Sequence, residues 1–288
     1  MITATLYSDP ACPWAYSESP ALRVIEWRYG DQLDWRLVVV GLTESADQYA
    51  ARGYTTLRGA LGQLSFRRYG MPFSPAPKAR LSATARACRA VVAARLANPG
   101  TEWSVLRAIQ LANFTSPLVL EDYAQLRAAI DELPGVDAAA IVAALDAPEV
   151  TAAYEADKVQ TRTAAGSAAE LQGKTATTDG PVRFTAPSIV FSADGTSLVA
   201  GGFQPVEAYD ILVANMDPTL SRRRAPESPK PLLEHFRGGL TTQEVAALLT
   251  EGNDAPDRRA AEAALIGLVA EGEATRRSLG DDALWRAA

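Results

Sequence analysis

Asp9-Pro10-Ala11-Cys12-Pro13-Trp14-Ala15 is the stretch on which the reading of this chain turns. Before it, residues 2–8 alternate Ile2, Ala4 and Leu6 with Thr3, Thr5 and Tyr7, the period-two pattern of a short strand. After it, Pro13 sits in a first helical turn, where a missing N–H costs nothing. Leu22, Ile25 and Tyr29 continue at helical spacing to Gly30, which closes the helix. Cys12 therefore stands at a strand-to-helix junction. The first N–H groups of a helix have no intrahelical acceptor, and the macrodipole adds partial positive charge there. A thiolate gains from both and a thiol does not, so the Cys12 pKa is expected to fall, into the range of about 3.5–7.5 typical of such sites. Three residues on, where a redox pair would carry its second cysteine, the chain has Ala15.

Working outward, residues 33–42 form a second strand whose consecutive valines suit a sheet buried on both faces. The opening is thus β-α-β with a right-handed crossover. From about residue 44 to 175 only helical segments are legible, at 82–98, 102–113, 121–133, 137–145 and 148–165, with a proline-rich connector at 70–78. The sheet resumes with strands at 181–191 and 197–200 around an Asp194-Gly195 hairpin turn, then a helix at 205–216. A strand-helix-strand start, inserted helices and a hairpin-helix finish make the thioredoxin plan. Residues 217–230 read as a linker with three prolines and the basic run Arg222–Arg224, a solvated segment rather than an anion patch. Residues 231–288 read as three helices and a hairpin, a winged-helix-like pattern. There Thr241 and Glu244 form a capping box, and Arg258 and Arg259 begin the third helix. The expected fold is α/β: a thioredoxin domain over 1–216 with a large helical insertion, a linker, and a small winged-helix-like domain.

Bulk properties narrow the function. The net charge of −6 argues against a polyanion as main partner. No apolar run reaches about 18 residues, so no membrane-spanning segment is expected. The N-terminus has neither a basic n-region nor an apolar h-region, which points to the cytoplasm, where thiols stay reduced. Two cysteines and a single histidine, His235, offer no disulfide framework, no multi-histidine metal site and no histidine triad. In residues 235–288, six arginines meet nine acidic residues, a weak footprint for DNA.

With Asp9-Pro10-Ala11-Cys12-Pro13-Trp14 after the first strand, the helical insertion, and Thr185-Ala186-Pro187 opening a later strand, the chain resembles the DsbA-like branch of the thioredoxin superfamily. That branch includes cytoplasmic dithiol-disulfide isomerases. The resemblance covers residues 1–216. It implies a cis peptide before Pro187, facing Cys12, and an Ala186 backbone that pairs with an extended substrate by strand addition. Related branches, the kappa-class glutathione transferases and 2-hydroxychromene-2-carboxylate isomerases, carry a serine near the place of Cys12 and handle glutathione.

Ala15 departs from the dithiol pattern and decides which reaction remains. Without a second cysteine, a mixed disulfide on Cys12 must be resolved by an outside thiol, either a low-molecular thiol such as glutathione or mycothiol or a protein thiol. Cys88, on a helical face with Leu81, Ala85, Val92 and Leu96, reads as a core residue rather than a resolving thiol. The reading is a monothiol thiol-disulfide oxidoreductase or isomerase. Cys12 is its nucleophile, Pro13, Trp14, Ala186 and Pro187 line its groove, and Asp9 and Tyr16 support it, with no tightly bound cofactor and no metal. Trp14 is expected to shield the sulfur, and Phe184 and Phe203 to lie in the core. Arg67, Arg68, Lys78 and Arg80 offer either cations for a thiol's carboxylates or a solvated face, the latter preferred. Two alternatives stay open: an isomerase or transferase using a bound low-molecular thiol, and a redox sensor signalling through the winged-helix tail. Oligomeric state is open, a homodimer included.

Overall fold

The computed structural model describes residues 1–252 and 254–288. The chain opens with β1 (Ile2–Ser8), α1 (Pro13–Ser17), α2 (Ser19–Tyr29) and β2 (Leu33–Val39). The single helix expected from Pro13 to Gly30 is broken at Glu18, because Pro20 supplies no N–H to carry the ladder through. β2 also stops earlier than its valine run suggests. Gly41 takes a left-handed φ of 64°, the chain turns away, and the Leu42 N–H leaves the ladder for the Asp9 carboxylate at 3.0 Å.

The insertion is helical, as expected: α3 (Ala46–Ala51), α4 (Thr56–Phe66), α5 (Ala85–Ala97), α6 (Thr101–Thr115), α7 (Tyr123–Ile130), α8 (Ala138–Ala143), α9 (Pro148–Thr161) and α10 (Ala168–Leu171). The strand expected at 181–191 is two. β3 (Thr175–Ala176) and β4 (Arg183–Phe184) pair with each other, while β5 (Ser188–Ala193) and β6 (Thr196–Gly201) join β1. Pro187, with no N–H to give a ladder, separates them. The hairpin turn is at Asp194-Gly195, both with positive φ, and α11 (Val206–Met216) follows.

The main sheet has the order β2-β1-β5-β6. β1 runs parallel to β2 and antiparallel to β5, the thioredoxin arrangement. One face of β1, Ile2, Ala4 and Leu6, packs into a core with Cys88, Val91 and Val92 of α5 and Ile109 of α6. Leu96, placed with Cys88 on the expected core face, is instead 48% exposed at the end of α5. Among the described residues no helix is long and apolar enough to cross a membrane.

The tail comprises α12 (Lys230–His235), β7 (Leu240–Thr241), α13 (Thr242–Leu249), α14 (Arg258–Ala270), β8 (Ala274–Leu279) and β9 (Asp282–Ala287), with a sheet ordered β7-β9-β8. The Thr241–Glu244 capping box is present. The tail shares a core with the body: Val24 and Trp27 of α2 pack with Leu232, Leu233, Val245 and Leu265. Glu244, fully buried, does double duty, because Arg107 of α6 grips its carboxylate at 2.6 and 2.7 Å. Arg258, at the helix start as expected, reaches back to the Gly70 carbonyl at 2.9 Å and pairs with Asp282 at 2.9 Å.

The segment between body and tail is largely exposed, and hydrogen bonds tie it to α2. The Trp27 indole donates to the Arg224 carbonyl at 2.8 Å, and the Arg223 N–H donates to the Arg28 carbonyl at 2.9 Å. The basic run is engaged as well: Arg222 pairs with Asp210 at 3.0 Å, and Arg223 lies 4.5 Å over the Trp27 ring.

Candidate active site

The turn after β1 is fixed by Asp9. Its Oδ1 accepts the Ala11 N–H at 2.9 Å, and its backbone carbonyl accepts the Cys12 N–H at 3.2 Å. Its Oδ2 accepts from Leu42 N at 3.0 Å, Thr84 Oγ1 at 3.1 Å and, weakly, Cys88 Sγ at 3.5 Å. Asp9 is thus a turn cap and a buried junction joining β1, the end of β2 and α5. Burial raises its carboxyl pKa, and these hydrogen bonds pull it back only in part.

Cys12 is the N-cap residue of α1, in extended conformation, with Pro13 next in line. Its Sγ–H donates to the Ala186 carbonyl at 2.9 Å. The Ala186–Pro187 peptide is cis. Cys12 belongs to a buried cluster with Tyr7, Val38, Ala164, Ala169 and Phe184, in which Phe184 stacks on Tyr7 at 4.7 Å. The structure therefore brings Asp9, Cys12, Pro13, Ala186 and Pro187 together.

The expected depression of the Cys12 pKa is overturned. Cys12 is 6% exposed, and burial pushes its thiol up to about 12. The Ala15 and Trp14 N–H groups and the Arg183 guanidinium do favour the thiolate, while the Asp9 charge opposes it, but loss of hydration outweighs them. Helix-start geometry is legible in a sequence; how completely a later loop covers the sulfur is not. In the resting state Cys12 is a thiol. Iodoacetamide should accordingly label native Cys12 far more slowly at pH 7 than a small free thiol, and both cysteines should label fully once unfolded. Intact-mass time courses check this.

Trp14 does not shield the sulfur as expected. It is 39% exposed, and its ring packs with Phe66, Tyr69 and Phe203 at 4.8, 5.6 and 5.5 Å. Phe203, expected in the core, belongs to this half-open aromatic cluster. Tyr16 is removed from the site altogether: its hydroxyl donates to the Pro72 carbonyl at 2.8 Å and its ring stacks on Phe114 at 4.7 Å. It anchors the proline-rich connector. Cys88, fully buried, hydrogen-bonds toward Asp9, and burial holds its thiol well above the ordinary range.

The insertion cations are all engaged. Arg67 pairs with Asp281 at 2.8 Å, Arg80 pairs with Glu121 at 3.0 Å, and Arg68 lies over Tyr69 at 4.9 Å. Lys78 donates to Asn113 Oδ1 at 2.6 Å and to the Asn113 and Leu118 carbonyls, and burial lowers its ammonium pKa to about 8.

Sequence reading missed Arg183, the cation whose charge reaches Cys12. It is 5% exposed and held by the Phe184 carbonyl and Thr178 Oγ1, each at 3.1 Å. The available signal was an arginine inside an apolar strand, four residues before Pro187. It also missed Tyr49 of α3, whose phenol pKa is raised by burial and by the nearby Asp9 charge.

No family model and no curated protein matches this sequence. Solved structures do. A protein disulfide isomerase candidate from Nitrosomonas europaea is 18% identical with a TM-score of 0.56, covering 74% of this chain and 96% of its own. The cytosolic disulfide reductase DsbM from Pseudomonas aeruginosa, in its structure with glutathione, is 21% identical with a TM-score of 0.51, covering 74% and 98%. A DsbA oxidoreductase candidate from Streptomyces coelicolor is 18% identical with a TM-score of 0.56, covering 76% and 91%. At such identities the likeness speaks to architecture, and it agrees with the sheet order and the helical insertion: the chain has the DsbA-like thioredoxin fold.

Proposed function

We propose that this protein is a monothiol thiol-disulfide oxidoreductase or isomerase, with Cys12 as nucleophile and an external thiol as resolver. The observation that carries this reading is the Cys12 sulfur at a helix start, 2.9 Å from the Ala186 carbonyl and beside Pro187. Pro13, Ala186 and Pro187 form the groove wall, Trp14 its aromatic shoulder, Asp9 positions the cysteine turn, and the Arg183 charge reaches the sulfur. The raised pKa follows mainly from burial, which is the contribution that opening the groove removes. Once substrate displaces the Ala186 contact and hydrates the sulfur, the Trp14 and Ala15 N–H groups and Arg183 favour thiolate. The thiolate then attacks a disulfide sulfur, a mixed disulfide forms, and the other sulfur leaves as thiolate. With Ala15 in place of a second cysteine, an outside thiolate attacks the substrate sulfur of the mixed disulfide, forms a disulfide with it and releases the Cys12 thiolate. Glutathione or a similar low-molecular thiol fits this role, and the glutathione-bound DsbM structure supports it by analogy of fold. We place the protein in the cytoplasm, in keeping with the cytosolic DsbM and with its unpaired thiols.

A second reading is favoured by one observation. A thiol held protonated near 12, and already acting as a donor, can hydrogen-bond a bound low-molecular thiolate as a hydroxyl would, leaving that cofactor to do the chemistry. Cys12→Ser separates the two. Under the first reading it should remove exchange with a model disulfide, by at least about a hundredfold in rate. Under the second, turnover of a model electrophile with glutathione survives the change.

We read residues 1–216 as the thioredoxin-type domain and 231–288 as a winged-helix-like domain. Supporting this is the helix-strand-helix-helix-strand-strand order of the tail. Arg258 at the start of its third helix is committed to the body, so we assign the tail to packing and protein contact rather than to DNA.

A further inference from the structure

Two helices leave apolar faces uncovered. On α4, Leu57, Leu61 and Leu64 recur at helical spacing and are 57%, 56% and 47% exposed, while Ala60 is its one buried residue. A side chain at Gly59 or Gly62 would meet nothing within 4 Å. An 11-residue helix with two interior glycines and a single buried residue draws little support from the body. On α14, Ala261 and Leu265 face the tail core. Its other side carries Ala263, Ile266 and Ala270, with Val269 beside them, all exposed. From Ala263 to Ala270 this helix has no charged residue. Single exposed apolar residues are ordinary, but stripes of them mark contact surfaces.

Charge makes the two faces complementary. Residues 48–69 hold four arginines and no carboxylate, whereas residues 251–273 hold six carboxylates and two arginines. Arg67 and Arg258 are already paired, with Asp281 and Asp282. Arg52 and Arg58 are exposed and donate only to the Thr178 and Gly53 carbonyls. α4 against a second α4 would bring arginines together, and α14 against a second α14 would bring carboxylates together. Cross-pairing of α4 with α14 puts opposite charges around an apolar seam.

We infer that a second copy of this chain covers these faces, α4 of one protomer packing on α14 of its partner. The leucines of α4 meet the alanines of α14, whose short side chains let the two helices approach closely. Within a protomer, the Arg67–Asp281 pair at 2.8 Å and the Arg258 bond to the Gly70 carbonyl at 2.9 Å hold the end of α4 near the start of α14. A twofold pair therefore makes the same contact twice and closes as a dimer. α4 ends at Phe66, whose ring holds Trp14 at 4.8 Å, so the contact is joined through one ring to the Cys12 turn.

The test is sedimentation velocity of the full chain at low salt over about a hundredfold range of concentration. A dimer of twice the chain mass, weakened by added salt, is expected. Leu61→Asp and Ile266→Asp alter exposed positions, so both variants should keep the wild-type circular dichroism. Each should weaken the dimer by at least about a hundredfold, because every contact uses one face of each kind. Mixed in equal amounts, the two variants should pair more tightly than either does alone, since the mixed pair keeps one intact contact. A wild-type chain that stays monomeric, a dimer that survives either substitution, or a mixture no tighter than its parts would overturn the assignment. So would a monomer that binds phosphatidylglycerol vesicles through Leu61, which would give the α4 face to a lipid surface.

Discussion

Replacing Ala15 by cysteine should give the protein the ability to form its own disulfide and release a bound substrate without an outside thiol. Ala15 is 4% exposed and borders a cavity of about 200 Å³ shared with Leu6, Leu22 and Gln110, so the extra sulfur has room. The position lies one helical turn after Cys12, and the Ala15 N–H already points toward the Cys12 sulfur. A thiolate at residue 15 would attack the Cys12 sulfur of a mixed disulfide intramolecularly, so its effective concentration would far exceed that of a cellular thiol. Reduction of a protein disulfide by the variant should therefore rise by at least about tenfold when no low-molecular thiol is supplied. Oxidised Ala15→Cys should lose two hydrogens by mass, and wild type should not. A variant that folds but forms no internal disulfide would mean that this turn no longer has redox-pair geometry.

The second large effect concerns the tail. Arg107→Ala should destabilise the whole protein by about 3–5 kcal/mol, because it strands a charge in the shared core. Glu244 is fully buried, and its carboxylate also accepts the Ser19 hydroxyl and the Thr241 N–H. Burial alone would raise the Glu244 pKa, but Arg107 holds it at about 2, against about 4.3 in an unfolded chain. The sign follows from that depression. The stabilisation is complete above about pH 5 and is lost as pH falls through 4 toward 2, on the order of 3 kcal/mol in all. Thermal unfolding followed across pH 2–7 should show this loss in wild type and a flatter profile in Arg107→Leu/Glu244→Leu. That double variant should regain much of the stability lost by Arg107→Ala, since paired apolar groups leave no buried charge unmet. A tail that unfolds separately with an unchanged body would contradict the shared core.

What the sequence disclosed follows the range of the forces involved. The strand ending at Ser8, the Pro13 helix start, the Asp194-Gly195 turn and the Thr241–Glu244 capping box are local, set by neighbours within four residues, and each was readable. The partners of Asp9 were not, because Leu42, Thr84 and Cys88 meet it only after three separate elements pack. The same holds for Arg107, an ordinary helical arginine until Glu244 docks on it. The Cys12 site was half legible. Its helix-start position and its likeness to a DsbA-type turn were on the page of residues, but its burial under the Ala186–Pro187 loop comes from a segment 174 positions away. That distant contact reverses the pKa that local geometry implies. Trp14 and Tyr16 mislead for a related reason. Sequence places both beside Cys12, yet α1 turns Tyr16 into the connector core and Trp14 toward α4.

These readings converge on whether Cys12 exchanges with a partner thiol. The direct measurement is intact-protein mass spectrometry, with peptide mapping, after equilibration with glutathione disulfide and again after reduced glutathione is added. The proposed function predicts one glutathione adduct, on Cys12, that forms slowly because the thiol is buried and is reversed by the reduced thiol, with Cys88 unmodified. A protein that remains unmodified while fully folded, or one that forms a Cys12–Cys88 disulfide, would contradict it.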